Sequence, residues 1–524
     1  MNRTMRVLAV GDLAPECIAR LEEDGLRVDA RPEWGEAELA AGADGYQALV
    51  AGPGAAVTAA VLAAARALVV VGAGDGVAAI DVAAATRRGV VVVHAPDAGL
   101  VSEAEHALAL VLACARDLGG ADAALRGGRA GHVPGAGVEV RGKTLGLVGV
   151  CASSSLLVER ARALGIHVLA CEAQAPGEVA TGVVDCVTPE QVLAQADVLV
   201  AQTPPGVPLF GAAELAQLKQ GARLVSPRAS DAVDAEALAA ALAGGRLAGA
   251  AVAVAPGVAV SPALLAAPRL LLTSPSEAAT ADARRRAGVS VAEQVAAVLR
   301  GRLLHGAVNV PAASGDDADE LMPYMGLCDR LGRLLVQLAG EPVDAVEITY
   351  GGSVAYYDTH LLTLGVLGGV LAGRAESPVN FVNAEVVAAE LGVTAAETRE
   401  SGIPDFPRLI TVAVAGTGGA MSVSGTSLGS EHKPRLVRVF GEDVDLAPAP
   451  HMAVLRYVDA PGIGGKVGTL LGEWGVNIGH MSVGRGKLGD EAVMVLTLDE
   501  SLTREQTDAL VARCGLVFAR AVEL

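Results

Sequence analysis

Thr144-Leu145-Gly146-Leu147-Val148-Gly149 is the stretch that decides the fold class of this chain. A short run of Val and Leu that stops at a glycine and precedes a helical pattern through Leu164 predicts a buried strand, a tight turn and a helix. The alternation continues with strand-like runs at residues 168–171, 198–201, 223–226 and 250–254. Strands that alternate with helices in this way predict a doubly wound domain with a parallel sheet.

Toward the N-terminus we expect a second, smaller domain of the same kind. Its strand cores are residues 7–10, 48–51, 68–71 and 90–93, with Ala-rich helical stretches between them. Ser102-Glu103-Ala104-Glu105 has the pattern of a capping box, so it predicts the start of a long helix that continues through residues 106–114. A helical pattern at residues 283–300 is expected to lead the chain back to this first domain.

Beyond a Gly- and Asp-rich linker at residues 314–319 the pattern changes. Residues 320–448 mix two helices with strands of antiparallel type, and residues 452–524 predict the order strand, helix, strand, strand, helix, strand of a ferredoxin-like unit. The expected fold class is α/β: two doubly wound Rossmann-like domains, then an α+β intervening domain and a ferredoxin-like domain. The expected domains are residues 1–100 with 285–313, 101–284, 320–448 and 451–524.

Composition and charge argue against several classes of function. The 524 residues carry a net charge of -19, which opposes binding to nucleic acid or anionic lipid because both depend on clustered Lys and Arg. The apolar stretch 247–268 is interrupted by Pro256 and Pro262, and no charged and then apolar leader precedes the first strand, so neither a membrane span nor a signal peptide is expected. The seven cysteines form no C-x-x-C pair, which indicates neither a disulfide framework nor a metal site. We expect a cytoplasmic protein.

Several runs along the whole chain carry a resemblance to a known family. They are Gly89-Val90-Val91-Val92-Val93-His94-Ala95-Pro96, Gly142-Lys143-Thr144-Leu145-Gly146, Val308-Asn309, Phe381-Val382-Asn383-Ala384 and Tyr457-Val458-Asp459-Ala460-Pro461-Gly462. Together they resemble the D-isomer-specific 2-hydroxyacid dehydrogenases and, among these, the long form of D-3-phosphoglycerate dehydrogenase. The resemblance implies a substrate domain, an NAD-binding domain, an allosteric substrate-binding domain and an ACT domain, with serine biosynthesis as the setting. It also implies a homo-oligomer that pairs through its ACT and nucleotide domains.

The turn that binds NAD in this family departs from the family's pattern here. In the G-x-G-x-x-G turn the second glycine lets the backbone approach the pyrophosphate, and the matching residues are Gly149, Cys151 and Ser154. Only the first glycine is kept, and Cys151 places a side chain where the pyrophosphate is expected. Ser153 and Ser154 lie at the start of the following helix. There they either bind an anion or simply cap the helix. Glu172 matches the position of the family's ribose-binding acid. Alternatively, it is simply a solvated acid at the end of a strand.

The resemblance also implies three catalytic residues: an Arg that orients the substrate carboxylate, and a His with a supporting Glu that moves the proton. The matching positions hold Ala229, Ala255 and Pro275. Arg228 lies one residue early, and a side chain shifted by one along a strand points to the opposite face unless a turn re-aims it. No catalytic residue is therefore expected, and Arg228 is the one candidate that remains if a turn re-aims it.

Two cations that hold the substrate in the family's first domain are replaced as well. Ala51-Gly52 stands at the family's Arg-Ser pair, and Gly72 stands at the Arg that precedes an Ala-Gly-x-Gly turn. His106 does not match the family's catalytic histidine, and its position on an expected helix favours packing.

The C-terminal part departs less from the family. Tyr457, Asp459 and Asn477 match positions at which ACT domains of this family hold serine between two subunits, although ACT units also serve as dimer contacts alone. Lys433 and Arg435 belong to a small basic cluster that is either an anion site or a solvated edge strand.

Two functions remain open on these grounds. The first is a non-catalytic paralogue that senses a ligand such as serine, or pairs with another subunit, including an active relative. The alternative is an active NAD-dependent D-3-phosphoglycerate dehydrogenase whose site is rebuilt from Arg228, Glu172 and Glu277.

Overall fold

The computed structural model describes residues 5–74, 76–129, 137–171, 185–202, 210–228, 232–255, 257–274, 280–302, 306–310, 315–375, 377–401, 406–429, 432–485 and 491–524. Among these residues, no helix combines the length and the apolar character needed to cross a bilayer. The chain forms two compact units. Met1–Leu13, Cys17–His94 and Val291–Leu524 make the first, and Ala14–Glu16 with Ala95–Ser290 makes the second.

The N-terminal part of the first unit is a parallel sheet in the order β2-β1-β3-β4-β5. Its elements are β1 (Arg6–Val10), α1 (Pro15–Glu23), β2 (Arg27–Arg31), α2 (Glu36–Gly42), β3 (Ala48–Ala51), α3 (Ala59–Ala64), β4 (Val70–Ala73), α4 (Val82–Arg87) and β5 (Val91–His94). The four expected apolar runs form β1, β3, β4 and β5. The polar strand β2 is absent from that expectation because it lies at the sheet edge and has no fully buried side chain to leave an apolar pattern.

The second unit contains a parallel sheet in the order β12-β11-β10-β9-β6-β7-β8. Its elements are α5 (Leu100–Arg116), α6 (Leu118–Arg126), β6 (Thr144–Val148), α7 (Ser154–Ala163), β7 (His167–Cys171), β8 (Asp185–Cys186), α8 (Pro189–Gln195), β9 (Val198–Ala201), α9 (Ala212–Gln217), β10 (Ala222–Ser226), α10 (Ala235–Ala243), β11 (Leu247–Ala253), α11 (Pro262–Leu265), β12 (Leu270–Thr273) and α12 (Ala281–Leu299), which continues into the first unit. The strand order reverses between β6 and β9. In doubly wound sheets, ligands bind beyond the carboxyl ends of the strands at such a reversal.

The start of α5 differs from the expected capping box. The helix is capped by Gly99 and begins at Leu100, so Ser102 lies inside its first turn. The Ser102 hydroxyl is buried and shares a hydrogen bond of 2.8 Å with the hydroxyl of Thr280, 178 residues later in the chain. The capping-box prediction was wrong because this serine bonds a distant residue and not the backbone of its own helix.

The next part of the first unit is a mixed sheet in the order β14-β13-β15-β16-β17-β18. Its elements are α13 (Gly315–Ala339), β13 (Ala345–Gly352), a 3-10 turn (Ser353–Tyr356), α14 (His360–Val370), α15 (Ala384–Leu391), β14 (Thr394–Glu400), β15 (Arg408–Val414), β16 (Ser422–Leu428), β17 (Lys433–Val439) and β18 (Glu442–Leu446). Three α-helices replace the expected two, and β13 pairs with β14 in parallel. Every described residue of α14 from Leu361 to Val370 is buried, so its sequence has no polar face to identify it as a surface helix.

The C-terminal part is an antiparallel sheet in the order β20-β21-β19-β22, the arrangement of a ferredoxin-like unit. Its elements are β19 (His451–Val458), α16 (Ile463–Glu473), β20 (Ile478–Arg485), β21 (Glu491–Leu498), α17 (Arg504–Cys514) and β22 (Phe518–Glu523). The four sheets together confirm the expected fold class.

The central strands β19 and β21 of the C-terminal sheet are buried on both faces. One face packs on its own helices α16 and α17, and the other belongs to the same hydrophobic core as α13 and the mixed sheet. Val454, Val495 and Val522 are among the strand residues in this shared core. The side chain of Gln337 also exchanges two hydrogen bonds, of 2.8 and 2.9 Å, with the backbone of Glu523. A fully buried Val contributes about 1.5–3 kcal/mol, so these contacts stabilise the packing of the C-terminal sheet against α13 and the mixed sheet.

Candidate functional site

Gly149 opens the turn at the switch point of the second unit. Its φ of +83° lies in the left-handed region, which strongly favours glycine, and its amide donates a 3.0 Å hydrogen bond to the carbonyl of Cys171. The turn passes directly from β6 into α7, as the sequence predicts. The first glycine of the pattern is therefore kept for a structural reason.

A compact polar network follows Gly149. The amide of Cys151 donates to the Ser154 hydroxyl (2.9 Å), and that hydroxyl donates to the side-chain oxygen of Gln202 (3.0 Å). The Cys151 sulfur lies 3.2 Å from the Ser153 hydroxyl and 3.7 Å from the same Gln202 oxygen. Both serines and Gln202 are buried, whereas Cys151 is half-buried. The structure thus places the predicted residues Gly149, Ser153 and Ser154 in one turn, and Ser154 joins this turn to Gln202 at the end of β9.

Gln202 was missed in the sequence. It is the first residue after β9, the strand across the switch point from β6. A polar residue directly after an apolar strand is the available signal, but the strand order that makes β9 the neighbour of β6 is visible only in the fold.

Most other expected site positions of the second unit lie outside the described residues. These are Glu172, Ala229, Pro275 and Glu277. Arg228 is described and half-buried, and it lies two residues beyond the end of β10. The strand-face argument applied to Arg228 in the sequence was therefore wrong, because the alternation of side chains ends with the strand. Its catalytic role stays a prediction.

His106 lies inside α5, as expected. Burial lowers the pKa of its imidazole, and among the described residues the buried Nε2 atom has no hydrogen-bond partner. Both observations are consistent with a neutral histidine that packs within the second unit.

In the first unit, the position of the family's arginine at Gly72 is closed to any side chain. A Cβ atom at residue 72 would lie 2.5 Å from Cγ1 of Val291 and 3.0 Å from Cγ2 of Val295, both on α12. A β-branched side chain in a helix has essentially one rotamer, so these methyl groups cannot move aside. An arginine here requires α12 to shift.

Two of the runs that carry the resemblance have structural roles. The side chain of Asn309 accepts a hydrogen bond from the amide of Val92 (2.8 Å) and donates to the carbonyl of Val90 (2.9 Å). Asn380 donates to the carbonyl of Gly89 (2.8 Å), and Asn383 donates to that of Arg87 (3.2 Å). These asparagines attach the chain after α12 and the α14–α15 connection to the end of the first sheet.

The candidate effector residues do not all lie together. Tyr457 and Asp459 lie at the carboxyl end of β19, whereas Asn477 precedes β20 beside the end of β21, which pairs with the start of β19. Tyr457 is 4% exposed, and burial, followed by the nearby charge of Asp459, raises the pKa of its phenol. The Asp459 carboxylate is 11% exposed and forms an ion pair of 3.5 Å with Arg485. Its buried Oδ2 atom is the one that faces Arg485, and it makes no hydrogen bond to any described residue. Asn477 is exposed and donates to Asp499 (3.0 Å). The unsatisfied carboxylate oxygen is the feature of this region that favours a ligand.

The candidate anion residues Lys433 and Arg435 lie on β17. This strand pairs with β16 on one side and β18 on the other, so the alternative of an edge strand was wrong. Arg435 donates from Nε and Nη2 to one oxygen of Asp445, at 2.8 and 2.5 Å. Its charge is therefore already neutralised within the sheet.

The thiols provide a test of the geometry of the turn. Burial raises the pKa of the Cys17 and Cys114 thiols to about 11 and about 12, so both stay protonated at neutral pH, whereas Cys151 is half-buried. We expect Cys151 to react first with a thiol-specific reagent in native protein. The measurement compares the single variant Cys186→Ser with the double variant Cys151→Ser/Cys186→Ser. Removing Cys186 from both samples leaves Cys151 as the only difference between them. A fast phase that survives Cys151→Ser contradicts this geometry.

These features define a class of protein. A doubly wound sheet with the reversal beside β6, a glycine turn at that point and a second, smaller doubly wound sheet are the features of Rossmann-fold oxidoreductases. Family models match the same parts. The D-isomer specific 2-hydroxyacid dehydrogenase catalytic domain matches residues 7–309, and the D-3-phosphoglycerate dehydrogenase intervening domain matches residues 320–440. The chain belongs to the D-3-phosphoglycerate dehydrogenase family of D-isomer specific 2-hydroxyacid dehydrogenases.

Individual relatives agree with this assignment. The D-3-phosphoglycerate dehydrogenase of Archaeoglobus fulgidus is 32% identical over 99% of this chain and 100% of its own length. That of Mycobacterium leprae is 36% identical over 80% of both chains. Among solved structures, a glyoxylate reductase from Paecilomyes thermophila superposes with a TM-score of 0.50 at 23% identity, covering 59% of this chain and 99% of that one, and supports the fold alone.

Proposed function

We propose that this chain is a non-catalytic member of its family that senses a small ligand and pairs with other subunits. The observation that carries the proposal is the turn after β6. There the amide of Cys151 is already bonded to the Ser154 hydroxyl, and Cys151 carries a side chain where the family has a bare glycine.

The family's three-glycine turn fits a dinucleotide, and the residues of the turn in this chain do not. The second glycine of that turn lets the pyrophosphate approach the backbone, and the amides at the helix start point at the anion. Here the Cβ and sulfur of Cys151 add bulk at that position, and the amide of Cys151 already donates to the Ser154 hydroxyl. Weak NAD binding is the expected consequence.

The positions of the catalytic residues support the same proposal. Alanine and proline stand at the positions of the family's arginine, glutamate and histidine, namely Ala229, Ala255 and Pro275. Loss of a positioned general acid or base alone costs about 10²–10⁴-fold in rate. We therefore expect no measurable oxidation of D-3-phosphoglycerate by NAD in a purified sample.

The ligand we propose is serine, bound at the C-terminal domain. The buried Oδ2 of Asp459 makes no hydrogen bond to a described residue, although it pairs with Arg485 at 3.5 Å, and it is an acceptor suited to an ammonium group. Tyr457 and Asn477 lie on the same domain. Pairing of two copies, or of one copy with an active relative, would complete such a site between subunits. Co-purification with an active relative tests the second form of pairing.

Calorimetric titration of the full-length protein with serine tests this proposal. Asp459→Asn is expected to weaken binding about ten- to a hundredfold, because a hydrogen bond to a charged group contributes about 1.5–3 kcal/mol. Asp508→Asn, an exposed carboxylate on α17 of the same domain, is the matched control and is expected to change nothing. Absence of serine binding together with absence of any partner subunit contradicts the proposal.

The alternative is an active NAD-dependent D-3-phosphoglycerate dehydrogenase with a rebuilt site. It is supported by the likeness to the Archaeoglobus fulgidus enzyme over 99% of this chain. Arg228, Glu172 and Glu277 would supply the charges in that case. Steady NADH formation from D-3-phosphoglycerate, abolished by Arg228→Gln, would establish this alternative.

A further inference from the structure

The second unit contains a cavity at the edge of its sheet opposite the Gly149 turn. The cavity has a volume of about 220 Å³ and lies at the amino ends of β10, β11 and β12, where the end of α5 meets the start of α6. Ligands of doubly wound sheets bind at the carboxyl ends of the strands, so the fold alone does not account for this cavity.

Two arginines line this cavity, and their charges are not neutralised by any carboxylate that the structure describes within ion-pair distance. Arg223 donates from Nε to the carbonyl of Cys114 (3.3 Å), and Arg269 donates from Nη2 to the carbonyl of Leu242 (3.1 Å). Within the described part of the chain, their other N–H groups have no hydrogen bonds. Guanidinium groups with free donors are the side chains best suited to carboxylate and phosphate oxygens.

The positive charge extends beyond the cavity. An adjoining cavity of about 190 Å³ shares Arg223 and is also lined by Lys143 and Lys219 and by two acids, Glu139 and Asp197. Asp197 pairs with Lys219 at 3.1 Å, so the cations exceed the acids by one. In a chain with a net charge of -19, cations gathered at one sheet edge create a local attraction for anions.

The backbone around the cavity is held in an unusual conformation. Asp117 (φ 49°) and Arg269 (φ 56°) are two of four non-glycine residues with positive φ in the described chain, and both line this cavity. Each such residue costs about 1–2 kcal/mol, and strain of this kind tends to persist at binding sites. Gly119, Gly120 and Gly137 also line the cavity, so the backbone itself forms part of its wall.

Asp117 completes the arrangement. A Cβ atom on Gly120 would lie 2.6 Å from the carboxylate of Asp117, so this carboxylate lies against the first turn of α6. The carboxylate thus lies beside the partly positive helix end, although it makes no capping hydrogen bond there.

We propose that this cavity binds the carboxylate or phosphate group of a small metabolite through Arg223 and Arg269. The site is separate from the turn at Gly149 and is independent of the proposed function. It gives the nucleotide domain a ligand site at its opposite edge.

Titration of the full-length protein with inorganic phosphate, and separately with acetate, at constant ionic strength tests the proposal. We expect at least one of these anions to bind, and Arg269→Gln and Arg223→Gln to weaken it about ten- to a hundredfold, as expected for losing one hydrogen bond to a charged group. Arg285→Gln is the control, because Arg285 lies in the same unit on α12 and pairs with Asp282 (2.7 Å), away from the cavity. Phosphate alone would indicate a phosphorylated ligand, and acetate alone a carboxylate.

Arg269 is exposed and bonds one carbonyl, so Arg269→Gln serves as the test if Arg223→Gln does not fold. Arg223→Lys, which keeps the charge, is expected to retain part of the affinity. The proposal is overturned if folded wild-type protein binds neither anion, or if all arginine variants bind as wild type does. The result does not depend on serine or NAD binding, so the two proposals fail separately.

Discussion

The double variant Cys151→Gly with Ser154→Gly is expected to bind NADH about a hundredfold more tightly than the wild-type chain. It restores the second and third glycines of the dinucleotide turn, removes the Cys151 side chain and releases the amide now bonded to the Ser154 hydroxyl. Each hydrogen bond regained to the pyrophosphate is worth about 1.5–3 kcal/mol, and 1.4 kcal/mol corresponds to tenfold. Enhancement of NADH fluorescence on binding measures the change.

Ser155→Gly is the matched control for this experiment. Ser155 lies at the same helix start but is exposed, and its hydroxyl reaches only the carbonyl of Ala152 at 3.4 Å. We expect its replacement to leave NADH affinity unchanged. Equal, tight NADH binding by the wild type and the double variant would mean that the turn accommodates a dinucleotide as it stands. The double variant is expected to remain inactive, because Ala229, Ala255 and Pro275 are unchanged.

Gly332→Ala is expected to destabilise the first unit by about 3 kcal/mol, through the helix pair α13 and α14. A Cβ atom at residue 332 would overlap the carbonyl oxygen of Val366 and lie 2.9 Å from the amide nitrogen of Val370. Both atoms belong to the backbone of α14, so neither can turn away. The helices must move apart, which loosens the packing of α13 in the core that it shares with α14 and the C-terminal sheet.

Gly326→Ala provides a control of opposite sign in the same helix. Gly326 is exposed, and a Cβ atom there meets no neighbour within 4 Å. Alanine is the better helix former by about 1 kcal/mol, so this variant is expected to stabilise α13. The midpoint of thermal unfolding compares the two variants. A similar midpoint for Gly332→Ala and wild type would show that the helices approach less closely than the structure indicates.

Much of the fold could be predicted from local sequence because its signals are local. The apolar runs of β1, β3 and β6 identify buried strands, and Gly149 occupies a turn that requires a positive φ. The predictions that failed concern pairing over long distances. Ser102 matches a capping pattern but bonds Thr280, and β17 has the alternation of an edge strand but lies between two others.

The candidate site likewise has features that the sequence predicts and features that only the folded chain shows. The missing glycines at Cys151 and Ser154 are readable in the chain, because a motif of six residues is continuous. The bond from Ser154 to Gln202, 48 residues away, and the meeting of Arg223 with Arg269 in one cavity depend on strand order and helix packing. Periodicity and glycine content predict which elements form, since both are read from a few neighbouring residues. Which side chains meet depends on how those elements bury their apolar faces against one another, and that outcome is visible only in the folded chain.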